Sequence, residues 1–354
     1  MLRYYKGSMI FTLACLALAV WYGWAQTGSV SGTLSLVWIV VVLSVLEISL
    51  SFDNAVVNAT VLEEMDAVWQ RRFLTWGMVI AVFGMRIVFP LGIVAIAAGL
   101  GPTETVMLSL NDPVRYEEIV SSAHVGIAGF GGAFLTMVGL KFFFDADKDV
   151  HWISLIEKQL ARFSRIEAVE VAFLLLGLYL ISLLLPDEEA LTFVVAGMLG
   201  IATFIGVEAI GTVLELREEA RDLAGAAVRS GIGGFLYLNV LDASFSFDGV
   251  IGAFALSNNM IVIALGLSIG AMFVRSMTIM LVQKGTLSEY RYLEHGAFWA
   301  IIALGAIMLM SAHYPIPETI TGLIGAVLIG LSLWWSVRHN RRHPDAIEEA
   351  LRAD

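Results

Sequence analysis

A single cysteine, Cys15, in 354 residues excludes an intramolecular disulfide and any cysteine-built metal cage. It sits in an apolar run, where a small packing residue is the plain reading. The six histidines are scattered, so the chain also lacks the clustered imidazoles that zinc or copper would want. No phosphate-binding glycine-lysine loop is present, which speaks against ATP hydrolysis within this chain. Charge is scarce too, at 15% of residues, and no low-complexity linker or separate soluble domain can be found. What is abundant is apolar: 58% hydrophobic residues and a mean hydropathy of +0.81 exclude an ordinary soluble domain.

Runs of about 18 apolar residues or more are read as membrane-spanning helices. About ten occur, near 9–25, 34–62, 73–100, 121–144, 168–186, 190–214, 231–257, 260–283, 296–313 and 316–336. The predicted fold is therefore all-α, a polytopic membrane helix bundle. Cytoplasmic loops carry the Lys and Arg excess. With the amino terminus inside, 18 of the 21 basic residues fall in cytoplasmic segments, so both termini are expected inside. The net charge of −11 then says little about partners, and no nucleic-acid partner is expected. The first run follows Arg3 and Lys6, and Gly23-Trp24-Ala25 loosely resembles a signal-peptidase site. A retained helix is the favoured reading.

Against this background two segments spell nearly the same acidic phrase. Glu47-Ile48-Ser49-Leu50-Ser51-Phe52-Asp53-Asn54 recurs as Asp242-Ala243-Ser244-Phe245-Ser246-Phe247-Asp248-Gly249. A carboxylate at bilayer depth costs a few kcal/mol or more and usually marks a pathway or an ion site. The span after each phrase carries one arginine, Arg86 and Arg275, about 30 residues beyond the aspartate. Five crossings separate the copies, so they run in opposite directions, as in an inverted internal repeat with its site between the halves. The chain divides accordingly into 1–33 (first span and outer loop), 34–144 (first repeat), 145–230 (a cytoplasmic loop and connecting spans), 231–336 (second repeat) and 337–354 (cytoplasmic tail). Within 145–167, Trp152, Ile153, Leu155, Ile156, Leu160 and Phe163 beside Lys148, Lys158, Arg162 and Arg165 predict an amphipathic helix on the inner leaflet. Asn111-Asp112-Pro113 signals a turn in the longest outer loop.

As uninterrupted helix, the first phrase places Ser44, Glu47, Ser51, Asn54 and Asn58 on one face; Asn239, Asp242, Ser246 and Gly249 repeat it. Asp53 and Asp248 lie about 120° away, above Ser49 and Ser244. Alternatively the chain unwinds near Ser51–Asn54 and Ser246–Gly249, freeing carbonyls as ligands. Glu47, Asp53, Asp242 and Asp248 contribute −4, and Arg86 and Arg275 contribute +2. The remainder matches one divalent cation or two protons. Carboxylate, hydroxyl and amide oxygens suit manganese, calcium or magnesium. The competing bland reading is that acids and arginines pair as interhelical glue. Glu170 and Glu208 are candidate proton relays, or else snorkelling or paired groups. Lys141 reads as snorkelling and His124 as interfacial. Gly126, Gly129, Gly131, Gly132 and Ala133 predict close helix contact.

The paired phrases, with S-F-D-N in the first and S-F-D-G in the second, resemble the TerC family of integral membrane proteins over roughly residues 34 to 335. That family is associated with tellurium resistance and, in several branches, with manganese(II) efflux. The resemblance implies a metal-ion exporter of a bacterial-type inner membrane, using Glu47, Asp53, Asn54, Asp242 and Asp248 as metal ligands, with Ser49, Ser51, Ser244 and Ser246 in support. The S-F-D-G form, the large outer loop and the extra amino-terminal span mark a divergent branch. Moving a divalent ion against a negative-inside potential costs about 4.6 kcal/mol per 100 mV. Exchange for two protons cancels that electrical cost, and it comes naturally to carboxylates for which protonation and metal binding compete. The predicted function is thus secondary export of a divalent cation, manganese favoured, in exchange for protons, with no enzymatic step and no resident cofactor. Alternatives are an exporter of another small solute, or a scaffold in metal or tellurite stress. An intramembrane aspartyl protease would need a G-x-G-D pattern that is absent.

Overall fold

The computed structural model describes residues 2–63, 65–77, 79–144, 150–163, 168–219, 231–254, 256–314 and 316–342. Within helical segments a few side chains, Asp248 among them, fall outside the described set. The regular elements among the described residues are all helices, with no strand. This is the outcome lipid imposes, since every backbone N–H and C=O must be satisfied inside the chain.

The chain begins with α1 (Leu2–Thr27), α2 (Val30–Leu50), α3 (Phe52–Glu63) and α4 (Ala67–Arg72), followed by two π-helical segments, Phe73–Gly77 and Ile80–Val88. Then come α5 (Phe89–Ala98), α6 (Pro102–Asn111), α7 (Pro113–Ser122), α8 (His124–Phe143), α9 (Ser154–Phe163), α10 (Val169–Ser182), α11 (Asp187–Glu219) and α12 (Gly231–Phe254). Last are α13 (Met260–Lys284), α14 (Thr286–Glu289), α15 (Leu293–Ser311) and α16 (Glu318–Arg342). Polar residues set the ends. The Ser29 hydroxyl caps α2 at Gly32 N (3.1 Å), Asp66 caps α4, and Asn259 caps α13 at Ile261 N (3.0 Å). Asp112 closes α6 and caps α7, so the outer turn signal marks the joint of a helical pair. Gly285, at φ +58°, ends α13 in the left-handed conformation that a side chain would strain.

Among the described residues, eight helices are long and apolar enough to cross a membrane. The ten expected runs coincide with ten helical stretches, but α10, at 14 residues, is too short to count, and α12 is not among the eight. The carboxylates of the second phrase dilute α12's apolar character. α8, α13 and α15 form the centre, with 72%, 67% and 61% of their spans buried, against 22% for α1 and α16. The rim presents Leu183, Leu191, Leu323 and Trp38 outward, as a surface in lipid does. Small residues let α8 lie close to its neighbours: a Cβ on Gly129 would stand 2.6 Å from the Phe193 carbonyl of α11, and one on Gly132 3.0 Å from Gly305 O of α15.

The two acidic helices interlock with the opposite arginine segments. α13, which carries Arg275, packs along α2 and α3; α12 packs on the π-helical segment that holds Arg86. α1 is docked rather than peripheral in its bonding, with the Ser8 hydroxyl against Ser276 Oγ (2.6 Å) and Met272 O (2.7 Å) of α13. α9 forms as predicted, with Leu155 exposed, but it is pinned to the bundle as well as amphipathic. Lys148 and Arg165, predicted to flank it, lie outside the described residues, as does the whole of the tail beyond Arg342.

Candidate functional site

The first acidic phrase breaks. α2 ends at Leu50, Ser51 adopts φ −103° and ψ 22°, and α3 restarts at Phe52. The second phrase does not: α12 runs from Gly231 to Phe254, so here the continuous-helix alternative holds. A non-helical residue at membrane depth is tolerated where it lines a cavity, and Ser51 does. It faces a space of about 40 Å³ bounded by Glu47, Leu50, Ser51, Asp53, Phe245, Gly249, Leu304, Thr321 and Gly322.

The break regroups the predicted ligands. An uninterrupted helix would put Glu47 with Asn54 and set Asp53 aside. With the kink at Ser51, Glu47 and Asp53 share the first cavity, whereas Asn54 turns with Asn58 into a second of about 20 Å³. That second space is also lined by Phe73, Ala81, Arg86, Asp242, Ala271, Val274, Arg275 and Thr278. Asn54 Nδ2 donates to Asp242 Oδ1 across 2.9 Å, joining the two phrases directly. Of the described carboxylates, Glu47 and Asp53 thus line the first cavity and Asp242 the second. Among the described residues no three His, Cys, Asp or Glu side chains form a metal-holding group. Asp248's side chain lies outside the described set, but its neighbour Gly249 faces Glu47, where an added Cβ would stand 3.0 Å from Oε2.

The two arginines are held differently. Arg86 pairs with Glu47, both buried, and Ser51 Oγ donates to the same Glu47 Oε1 (3.3 Å). Arg275 donates to the Phe73 carbonyl, stacks over the Phe73 ring at 5.2 Å, and lies in the same cavity as Asp242. Asp53, 6% exposed, accepts from the Asn54 backbone N–H (2.9 Å) and has no basic partner among the described residues. Gly325 of α16 leaves room beside it, since a Cβ there would stand 3.4 Å from Oδ2. Gly270 of α13 likewise clears space for the Glu47 side chain. The first cavity is thus an oxygen-lined pocket with more negative than positive charge.

The other predicted residues divide. Ser51 lines the first cavity; Ser49 is exposed and bonds back to Val45 O (2.7 Å). Ser244 bonds Val240 O (3.0 Å), and Ser246 Oγ is buried without a hydrogen-bond partner. Glu208 pairs with Lys141 at 3.6 Å, and Glu170 sits in the first turn of α10; neither lines the two cavities. His124 Nε2 meets Ser311 O at 3.2 Å.

Two features lay beyond sequence reading. Thr321 and Gly322 of α16 line the first cavity, although neither belongs to the acidic phrases or the arginine spans. Elsewhere, Glu157 of α9 is 3% exposed and fully engaged. It accepts from Trp152 N (2.9 Å), Ile153 N (3.0 Å) and Trp299 Nε1 (2.9 Å), with His295 Nε2 at 3.7 Å. Nearby, Glu63 closes α3; burial and the neighbouring Glu294 carboxylate push it up to about 7.

Residues 52–343 match the family described as "protein of unknown function (DUF475)", and the chain belongs to that family. No curated protein and no solved structure matches it.

Proposed function

As the family carries no assigned activity, we propose that this membrane protein is a secondary transporter. It exports a hard or borderline divalent cation, manganese(II) favoured, in exchange for protons. The observation that carries this reading is the pair of buried carboxylates, Glu47 and Asp53, flanking a helix break at a 40 Å³ cavity. A buried carboxylate without a compensating cation is costly in hydrocarbon surroundings, and such groups mark ion pathways. Carboxylate and hydroxyl oxygens favour manganese, calcium or magnesium over softer ions. Charge bookkeeping agrees. Arg86 offsets Glu47 and Arg275 stands by Asp242, which leaves Asp53 and, by sequence, Asp248 for a divalent ion or two protons.

The resemblance to TerC proteins supports the same substrate class. The basic bias of the loops supports an inner-membrane protein with both termini cytoplasmic. The test is flux in proteoliposomes. Manganese(II) movement should follow an imposed pH gradient, and Asp53→Asn should reduce it to the protein-free background. Flux indifferent to the gradient contradicts proton exchange; a deletion phenotype rescued by Asp53→Asn supports the scaffold reading instead.

A further inference from the structure

Two amide oxygens in the second cavity have nothing to accept from. Asn54 is 2% exposed and Asn58 5%, both line this cavity, and Oδ1 of each lacks a hydrogen-bond partner among the described residues. Such orphans are rare in buried positions and call for a donor. Beside them stands a donor with spare capacity. Arg86, 3% exposed, lines the same cavity; its Nη2 is held by Glu47 and its Nη1 by Ala81 O at 3.3 Å, but its Nε has no partner. A guanidinium carries five N–H donors in a planar fork. Asp242, already tied to Asn54, supplies a carboxylate to the same place. Arg86 also sits in a π-helical segment, whose wider turn is a recurrent feature of functional sites.

We propose that Arg86 is a tethered cation with two seats. It holds Glu47 while the first cavity carries no ion, and moves to Asn54 Oδ1, Asn58 Oδ1 and Asp242 when a divalent cation takes Glu47 and Asp53. This rests on the divalent-cation reading of the first cavity and specifies how the ion displaces the resident charge. The move keeps Glu47 neutralised in both states, by guanidinium or by metal. It also satisfies the orphaned amides only in the loaded state, so the second seat pulls Arg86 away as the ion arrives. Arg275 fills the cavity's other side and is committed to the Phe73 carbonyl and ring.

The experiment is a double-mutant cycle on manganese(II) binding, by titration calorimetry on the purified full-length protein. Asn58→Ala, which damages only the second seat, should weaken binding about five- to tenfold, within the coupling range of contacting residues. Arg86→Gln should tighten binding, and in that background Asn58→Ala should change Kd by less than twofold. Arg86→Lys keeps the buried charge if the glutamine variant does not fold; lacking the fork, it should at least halve the Asn58 effect on a logarithmic scale. An Asn58 effect of equal size with and without Arg86, or none in either, overturns the switch while leaving the cation site standing. That second result would fit a water held between the amides, for which 20 Å³ is sufficient. Absence of manganese(II) binding by the unmodified protein overturns the site and the switch together.

Discussion

Glu157 and Asp53 are both buried carboxylates, yet the chain treats them in opposite ways. Glu157 accepts two backbone N–H groups and the Trp299 indole, with His295 close by, and so fastens α9 to α15. Asp53 receives one N–H, from its own neighbour, and faces a cavity. A carboxylate surrounded by donors is a fastener whose removal loosens the fold. One left short of donors beside a space of about 40 Å³ is held ready for something that comes and goes. The difference lies in how many donors each carboxylate has, because both are comparably buried.

The contrast breaks most visibly through substitution. Asp53→Asn should abolish manganese(II) flux in proteoliposomes, at least a hundredfold, with thermal stability unchanged or raised because a buried charge is removed. Glu157→Ala should do the reverse. It strands several donors and should destabilise by about 2–4 kcal/mol, read as a lower midpoint in thermal unfolding, while manganese(II) affinity per folded molecule stays within about twofold of the unmodified protein. If both variants lose flux and stability alike, the two carboxylates are not distinct in kind.

Gly270→Val tests the geometry that holds Glu47. The added side chain collides with the Glu47 stem, and overpacking of this sort costs about 1–3 kcal/mol. Cation affinity should fall along with stability, as measured by calorimetry and thermal unfolding on the same preparation.

The smallest effect is at Glu63. Its carboxyl is raised to about 7 from an ordinary 4.5, so between these values the folded chain holds the proton that the unfolded chain has lost. Stability from this group is therefore full below pH 4.5 and declines as pH rises to 7, where the loss is complete. Glu63→Gln should remove that decline and raise the unfolding midpoint at pH 8 by about 1–2 °C, with little change at pH 4.5. Solvent screening at this partly exposed position keeps the effect small.

Much of the architecture is legible in the chain because lipid allows so few solutions. The run near 260–283 becomes α13, Met260–Lys284, and the glycines of α8 become its close contacts. Acidic phrases stand out for the same reason, since an ionised group has no incidental place among apolar residues. The regrouping of the ligands is not legible. Helical periodicity ties Glu47 to Asn54, and only the break at Ser51 sends Asp53 to one cavity and Asn54 to the other. The local pattern does not set the break, since the near-identical second phrase stays helical in α12. Glu157 is hidden for a related reason. On an amphipathic helix a glutamate reads as solvated, and its partner Trp299 lies 142 residues away in sequence.

The most direct measurement is the anomalous difference map of crystals grown or soaked with manganese(II). The account predicts one strong peak inside the first cavity, within ligand distance of Glu47 and Asp53, that disappears in Asp53→Asn. A map without density there, or with its peak among the exposed carboxylates of the loops, would contradict a cation seat at the Ser51 break.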